Sequence, residues 1–80
     1  MNANKFPAMA QKRHVLLHRD GDGWWVISCP SLPGCVSQGK SRAEALEMIK
    51  DAIQGYIASL EHRGLEVPQD TYEADLVAVP

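Results

Sequence analysis

Only one stretch of this chain carries a helical apolar period, and one helix can cover only one face of a sheet. Apolar residues recur at Ala45, Leu46, Ile49, Ala52, Ile53, Tyr56, Ile57 and Leu60. Their steps of three and four gather them on a single stripe. Glu44, Glu47, Lys50, Asp51, Gln54 and Glu61 fall on the other side. Ser41-Arg42-Ala43-Glu44 is a capping box: the Ser41 hydroxyl accepts from the Glu44 backbone N–H, and the Glu44 carboxylate accepts from that of Ser41. Gly64 suits the left-handed position just past a helix, and Pro68 prevents a restart. Gly55 is a flaw inside the helix, costing about 1 kcal/mol relative to alanine. A close approach of the helix to a sheet would account for it.

The other apolar segments read as strands. His14-Val15-Leu16-Leu17-His18 is ended by Asp20-Gly21-Asp22-Gly23, whose Asp-Gly pairs supply the positive φ angles of tight turns. Trp24-Trp25-Val26-Ile27-Ser28-Cys29 follows, rich in aromatic and β-branched residues, so the two runs form a hairpin. Pro30 stops the second strand because it cannot donate to a ladder. Pro33-Gly34 marks a type II turn, and Cys35-Val36-Ser37-Gln38 is a short third strand ended by Gly39. Tyr72 to Val79 resumes a strand-like pattern.

The fold class is therefore α+β with the order β-β-β-α-β. The hairpin joins strands one and two, and the short loop sets strand three beside strand two. The helix carries the chain back, so strand four is expected parallel to strand one. This predicts a four-stranded mixed sheet in the order 3-2-1-4, with the helix on one face. Residues 1–12 read as a mostly unstructured arm and 13–80 as the domain.

Alternation along the second strand separates Trp25, Ile27 and Cys29 from Trp24, Val26 and Ser28. The first set is assigned to the helix side and the second to the uncovered face. A face carrying Trp24 and Val26 reads either as a contact surface or as the cap of the hairpin core.

Composition narrows the function. Eighty residues make one domain, and 45% apolar content suits a globular chain. A net charge of -2 has the wrong sign for a dedicated nucleic-acid binder. Two cysteines are too few for a disulfide framework. Residues 1–7 lack the apolar region of a signal peptide, and no segment approaches the ~20 apolar residues of a membrane span. A soluble cytoplasmic protein is expected, with no cofactor and no membrane contact.

No catalytic constellation stands out. Cys29 and Cys35, with His14, His18 and His62 elsewhere, lack the paired spacings of a four-ligand zinc site, and read better as small packed residues. Their place across one loop leaves a disulfide open. Ser28, Ser31 and Ser37 have no nucleophile-elbow setting. The six glycines, Gly55 inside the helix and the rest at turn or cap positions, have the wrong spacings for a phosphate loop. The element order matches the first part of a ribonuclease H-like fold, whose nucleases hold two metal ions with several acids. Here the first strand offers none, Asp20 and Asp22 belong to the turn, and Glu44 serves the cap.

The run Gly23 to Gly39, with Trp24-Trp25-Val26-Ile27, Pro30-Ser31-Leu32-Pro33-Gly34-Cys35 and Gln38-Gly39, resembles the HicB-like antitoxins. So does the helix start Ser41-Arg42-Ala43-Glu44-Ala45-Leu46, and Glu66-Val67-Pro68 is similar to the segment after the helix in that family. The resemblance spans about residues 13–79. It implies a partial ribonuclease H-like domain without nuclease activity. The partner implied is a HicA-type toxin, a small basic ribonuclease that cleaves messenger RNA with a catalytic histidine, neutralised by occlusion of its active site.

Pro30, Leu32, Pro33, Gly34 and Cys35 match the family's loop by position. Trp24, Val26, Pro30, Leu32 and Pro33 are the candidate partner-contact residues, and Gly34 and Cys35 form the turn that defines the fold. Many members continue into a DNA-binding domain. This chain ends at Pro80 and resembles the short form, so operator binding is not expected of it. A homodimer is expected. The competing reading is a small ligand- or metal-binding domain, or an enzyme, reusing the same fold.

Overall fold

The computed structural model describes residues 12–80, so all of the expected arm except Lys12 lies outside the described residues. Among the described residues three strands precede one helix: β1 (Leu16–Arg19), β2 (Trp25–Ser28), β3 (Val36–Gly39) and α1 (Arg42–His62). The strands form an antiparallel sheet in the order β1-β2-β3. Leu17 faces Ile27 across the first pair, and Ile27 faces Ser37 across the second.

The hairpin closes on Asp20. Its carboxylate accepts from the N–H groups of Asp22 and Trp24, each at 2.9 Å. Gly23 takes a φ of +88°, which a side chain would resist. This fixes the register and with it the side-chain faces.

α1 begins at the expected cap. Ser41 is extended, and its Oγ accepts from the Glu44 N–H at 3.0 Å. The return bond goes one residue earlier than the capping box predicts: the Glu44 carboxylate accepts from the N–H of Lys40. The end is a Schellman-type closure, in which Gly64 at φ +71° lets the Leu65 N–H donate to the Leu60 carbonyl at 2.9 Å.

α1 covers one face of the sheet. The buried core is Ile27, Cys29, Leu32, Cys35, Ala45 and Ile49, with Leu17, Trp25, Ile53 and Tyr56 packed around it. Trp25, Ile27 and Cys29 thus lie on the helix side, as alternation predicts. The close approach is not at Gly55, where an added Cβ would meet nothing within 4 Å. It is at Gly39, where a Cβ would stand 2.5 Å from the Ala45 nitrogen. The last residue of β3 is glycine because the first turn of α1 lies directly on it.

The four-stranded sheet in the order 3-2-1-4 is overturned. Residues 72–79 form no strand, and among the described residues the sheet has three strands, all antiparallel. The chain does return to the start of β1. There the Arg13 guanidinium donates to the Pro68 carbonyl at 2.6 Å, and the Asp70 carboxylate accepts from the His14 N–H. Asp70 also accepts from the Tyr72 N–H at 2.9 Å, an Asx-type bend that turns the chain away from β1. The amide that a fourth strand would pair with is satisfied by a side chain instead. Beyond the bend, Leu76 is 97% exposed and Val77 and Val79 are each 79% exposed.

Candidate functional site

The sheet face opposite α1 has no covering layer among the described residues. Its side chains follow from the register. Leu16, Ser28 and Val36 form one row, and His18, Val26 and Gln38 form the next. Trp24 and Lys40 extend the face beyond the ladder, with the Lys40 ammonium 6.0 Å from the Trp24 ring centroid. Together with Asp22 and Gly23 they line a shallow concavity beside the hairpin turn.

The exposure of this face is uneven. Trp24 and Val26, expected to stand out, are half-buried. Leu16 and Val36 are the exposed apolar residues, at 54% and 56%. They flank Ser28 on neighbouring strands, so the face offers two apolar ridges with Val26 between them on the adjacent row. Their alternation phase in β1 and β3 matches that of Val26, and it could have identified them from sequence.

The loop between β2 and β3 is a closed structure. The Cys29 N–H donates to the Cys35 carbonyl at 2.9 Å. The Leu32 N–H donates to that of Cys29, and the Cys35 N–H to that of Leu32, both at 3.0 Å. Gly34 at φ +81° makes the turn. Leu32 is wholly buried in the core. Its side chain is therefore not part of the loop's accessible surface. Pro33 is exposed and Pro30 half-buried.

Two outside groups hold the loop in place. The Tyr56 hydroxyl donates to the Pro33 carbonyl at 2.8 Å, joining the loop to α1. The Arg13 guanidinium donates to the buried Ser31 Oγ at 2.8 Å and also reaches Pro68. Arg13 thereby ties the loop to the segment after the helix. No local sequence pattern connects those three positions, which is why sequence reasoning missed Arg13, Ser31 and Tyr56.

Cys29 and Cys35 are both buried free thiols. Burial, and then the neighbouring Cys29, push the Cys35 thiol above its ordinary value. A protonated, inaccessible thiol is a poor nucleophile and a poor metal ligand. Among the described residues, no group of three or more His, Cys, Asp or Glu side chains is arranged to hold a metal ion. No described helix is long and apolar enough to cross a membrane.

Comparison with known proteins adds a family to this geometry. The family model for the HicB-like antitoxin of bacterial toxin–antitoxin systems matches residues 14–80. A UPF0150 protein of Thermoplasma acidophilum is 45% identical over 62 residues, covering 78% of this chain and 90% of that protein. One from Archaeoglobus fulgidus is 35% identical, covering 81% of this chain and 83% of its own length. Another, from Synechocystis, is 41% identical and covers 82% and 78% respectively.

Proposed function

The chain belongs to the HicB-like antitoxins of bacterial toxin–antitoxin systems, and from that premise we propose that it neutralises a HicA-type toxin by covering the toxin's active site with its outer sheet face. The observation that carries this reading is that face itself. It presents Leu16 and Val36 exposed, with Val26 and Trp24 half-buried beside them, and no described layer over it. An exposed apolar patch rimmed by polar groups is the ordinary signature of a protein contact.

The contact set on this reading is Trp24, Val26, Leu16 and Val36, with Pro30 and Pro33 at the loop edge. Leu32, Gly34 and Cys35 hold that edge in shape. Asp20 and Asp22 at the hairpin turn give the rim an acidic end that would steer a basic ribonuclease toward the face. The chain acts in the cytoplasm, as a homodimer, by steric occlusion and with no catalytic step of its own. A HicA-type toxin is the substrate of the binding event, and messenger RNA is the molecule kept out.

Co-expression tests the reading. Cells making a HicA-type toxin from the chain's own genome should resume growth when this protein is induced, and the two proteins should co-purify. Continued growth arrest together with the absence of a complex would refute it.

A further inference from the structure

The bend at Asp70 leaves two apolar features of the chain unmatched. One is a groove of about 640 Å³ between α1 and the residues leading into β1. Val15, Leu46, Ile53 and Ile57 line it, and no described residue fills it. β1 beside it is an edge strand, with backbone groups open to pairing. The other feature is the segment 72–79, whose Leu76, Val77 and Val79 stand in solvent.

We infer that residues 72–79 of one copy seat in this groove of a second copy, and reciprocally, so that the chain forms an exchanged dimer. Each chain keeps its own three-stranded sheet, and the added segment belongs to the other chain.

Charge supports the match. The segment carries Glu73 and Asp75 among its apolar residues. Among the described lining residues Lys12, Arg13 and Lys50 are basic and Glu47, paired with Lys50 at 3.6 Å, is acidic, so the rim is net positive. Reach supports it too. Eight extended residues span about 26 Å, whereas the helix from Leu46 to Ile57 rises only about 17 Å.

Two other occupants fit less well. A chain's own segment is directed off β1 by the Asp70–Tyr72 bend. Residues 1–11 carry Lys5 as their only charged side chain, of the same sign as most of the rim. Reciprocal insertion by two identical chains closes on itself with two-fold symmetry and leaves no segment over.

This inference rests on the homodimer reading and is independent of the toxin. Isotope-filtered NMR on an equimolar mixture of labelled and unlabelled full-length chain tests it directly. Methyl contacts between chains are expected from Leu76, Val77 or Val79 to Ile53 or Ile57. Sedimentation supplies the second measurement. Leu76→Glu should weaken the dimer at least roughly tenfold, with the monomer's circular dichroism unchanged because Leu76 is free of its own fold.

A dimer without these contacts would overturn the exchange and leave the homodimer. A monomer would overturn both. Groove contacts only within one chain, whether from its own tail or from Phe6, would overturn the exchange. So would groove methyls that find no neighbour until a toxin is added.

Discussion

Gly39→Ala places a methyl group where the start of α1 already stands. The new Cβ would lie 2.5 Å from the Ala45 nitrogen, 2.9 Å from the Glu44 carbonyl carbon and 3.0 Å from the Ala45 Cα. The first is about 0.9 Å short of the 3.4 Å at which such contacts become ordinary. All three atoms are backbone, so no side chain can swing aside. Either the first turn of α1 shifts, or β3 does. A shift of α1 pulls fully buried Ala45 out of the core and stretches the 3.0 Å bond from the Glu44 N–H to Ser41.

Overpacking of this kind costs about 1–3 kcal/mol, and a weakened cap adds up to about 1 kcal/mol. Alanine returns about 0.4–1 kcal/mol by restricting the unfolded chain. The net loss is about 2 kcal/mol. Gly39 has no positive φ, so contact and not backbone strain is the cause. The assay is urea unfolding at fixed protein concentration, followed by circular dichroism. With a slope near 1 kcal/mol per molar urea, the midpoint should fall by about 2 M. Gly55→Ala is the control: its site is open, and stability should rise by about 0.5–1 kcal/mol. A Gly39→Ala midpoint equal to that of the natural chain would refute the account of how helix and sheet meet.

Three further outcomes follow from the loop and the return segment. Tyr56→Phe removes the bond to the Pro33 carbonyl and should cost about 1 kcal/mol in thermal unfolding, with faster amide exchange in residues 30–35. The N–H of His14, then that of Tyr72, hold the Asp70 carboxyl below the usual carboxylate range. A depressed folded pKa stabilises above the unfolded value of about 3.9 and is lost as pH falls through the folded value. Exchange protection at the His14 and Tyr72 amides should therefore persist through the ordinary carboxylate range and be lost only at lower pH, and Asp70→Asn should weaken it at pH 7. Cys35, raised by burial and by Cys29, should react with iodoacetamide far more slowly than a free thiol at pH 8, and only as the chain opens.

The parts of the fold legible in the sequence were those written in local signals. The Ser41 N-cap, the Asp20 turn and the Pro33-Gly34 turn each involve residues a few positions apart, and each lies where its pattern indicates. The fourth strand failed because periodicity from Tyr72 to Val79 describes a segment suited to a sheet without saying whose edge it meets. The deciding interaction is the Asp70 carboxylate on the His14 amide, 56 residues away in sequence. The two glycines show the same limit. Gly55 breaks a helical pattern, whereas Gly39 ends a strand where glycine is unremarkable, yet of the two only Gly39 lies under another element. In the candidate site, burial of Leu32 reverses the usual exposure of loop residues, because three backbone bonds fold the loop inward onto the core.

Binding of the toxin by the outer sheet face can be read out residue by residue. Calorimetric titration of a HicA-type toxin with the natural chain, Val36→Asp, Trp24→Ala and the helix-surface control Glu61→Ala tests it most directly. Val36 is 56% exposed, so its substitution leaves the fold in place. Val36→Asp and Trp24→Ala should each weaken binding roughly thirtyfold or more, as at a contact centre, and Glu61→Ala should leave it unchanged. Full affinity in both outer-face variants would contradict the claim.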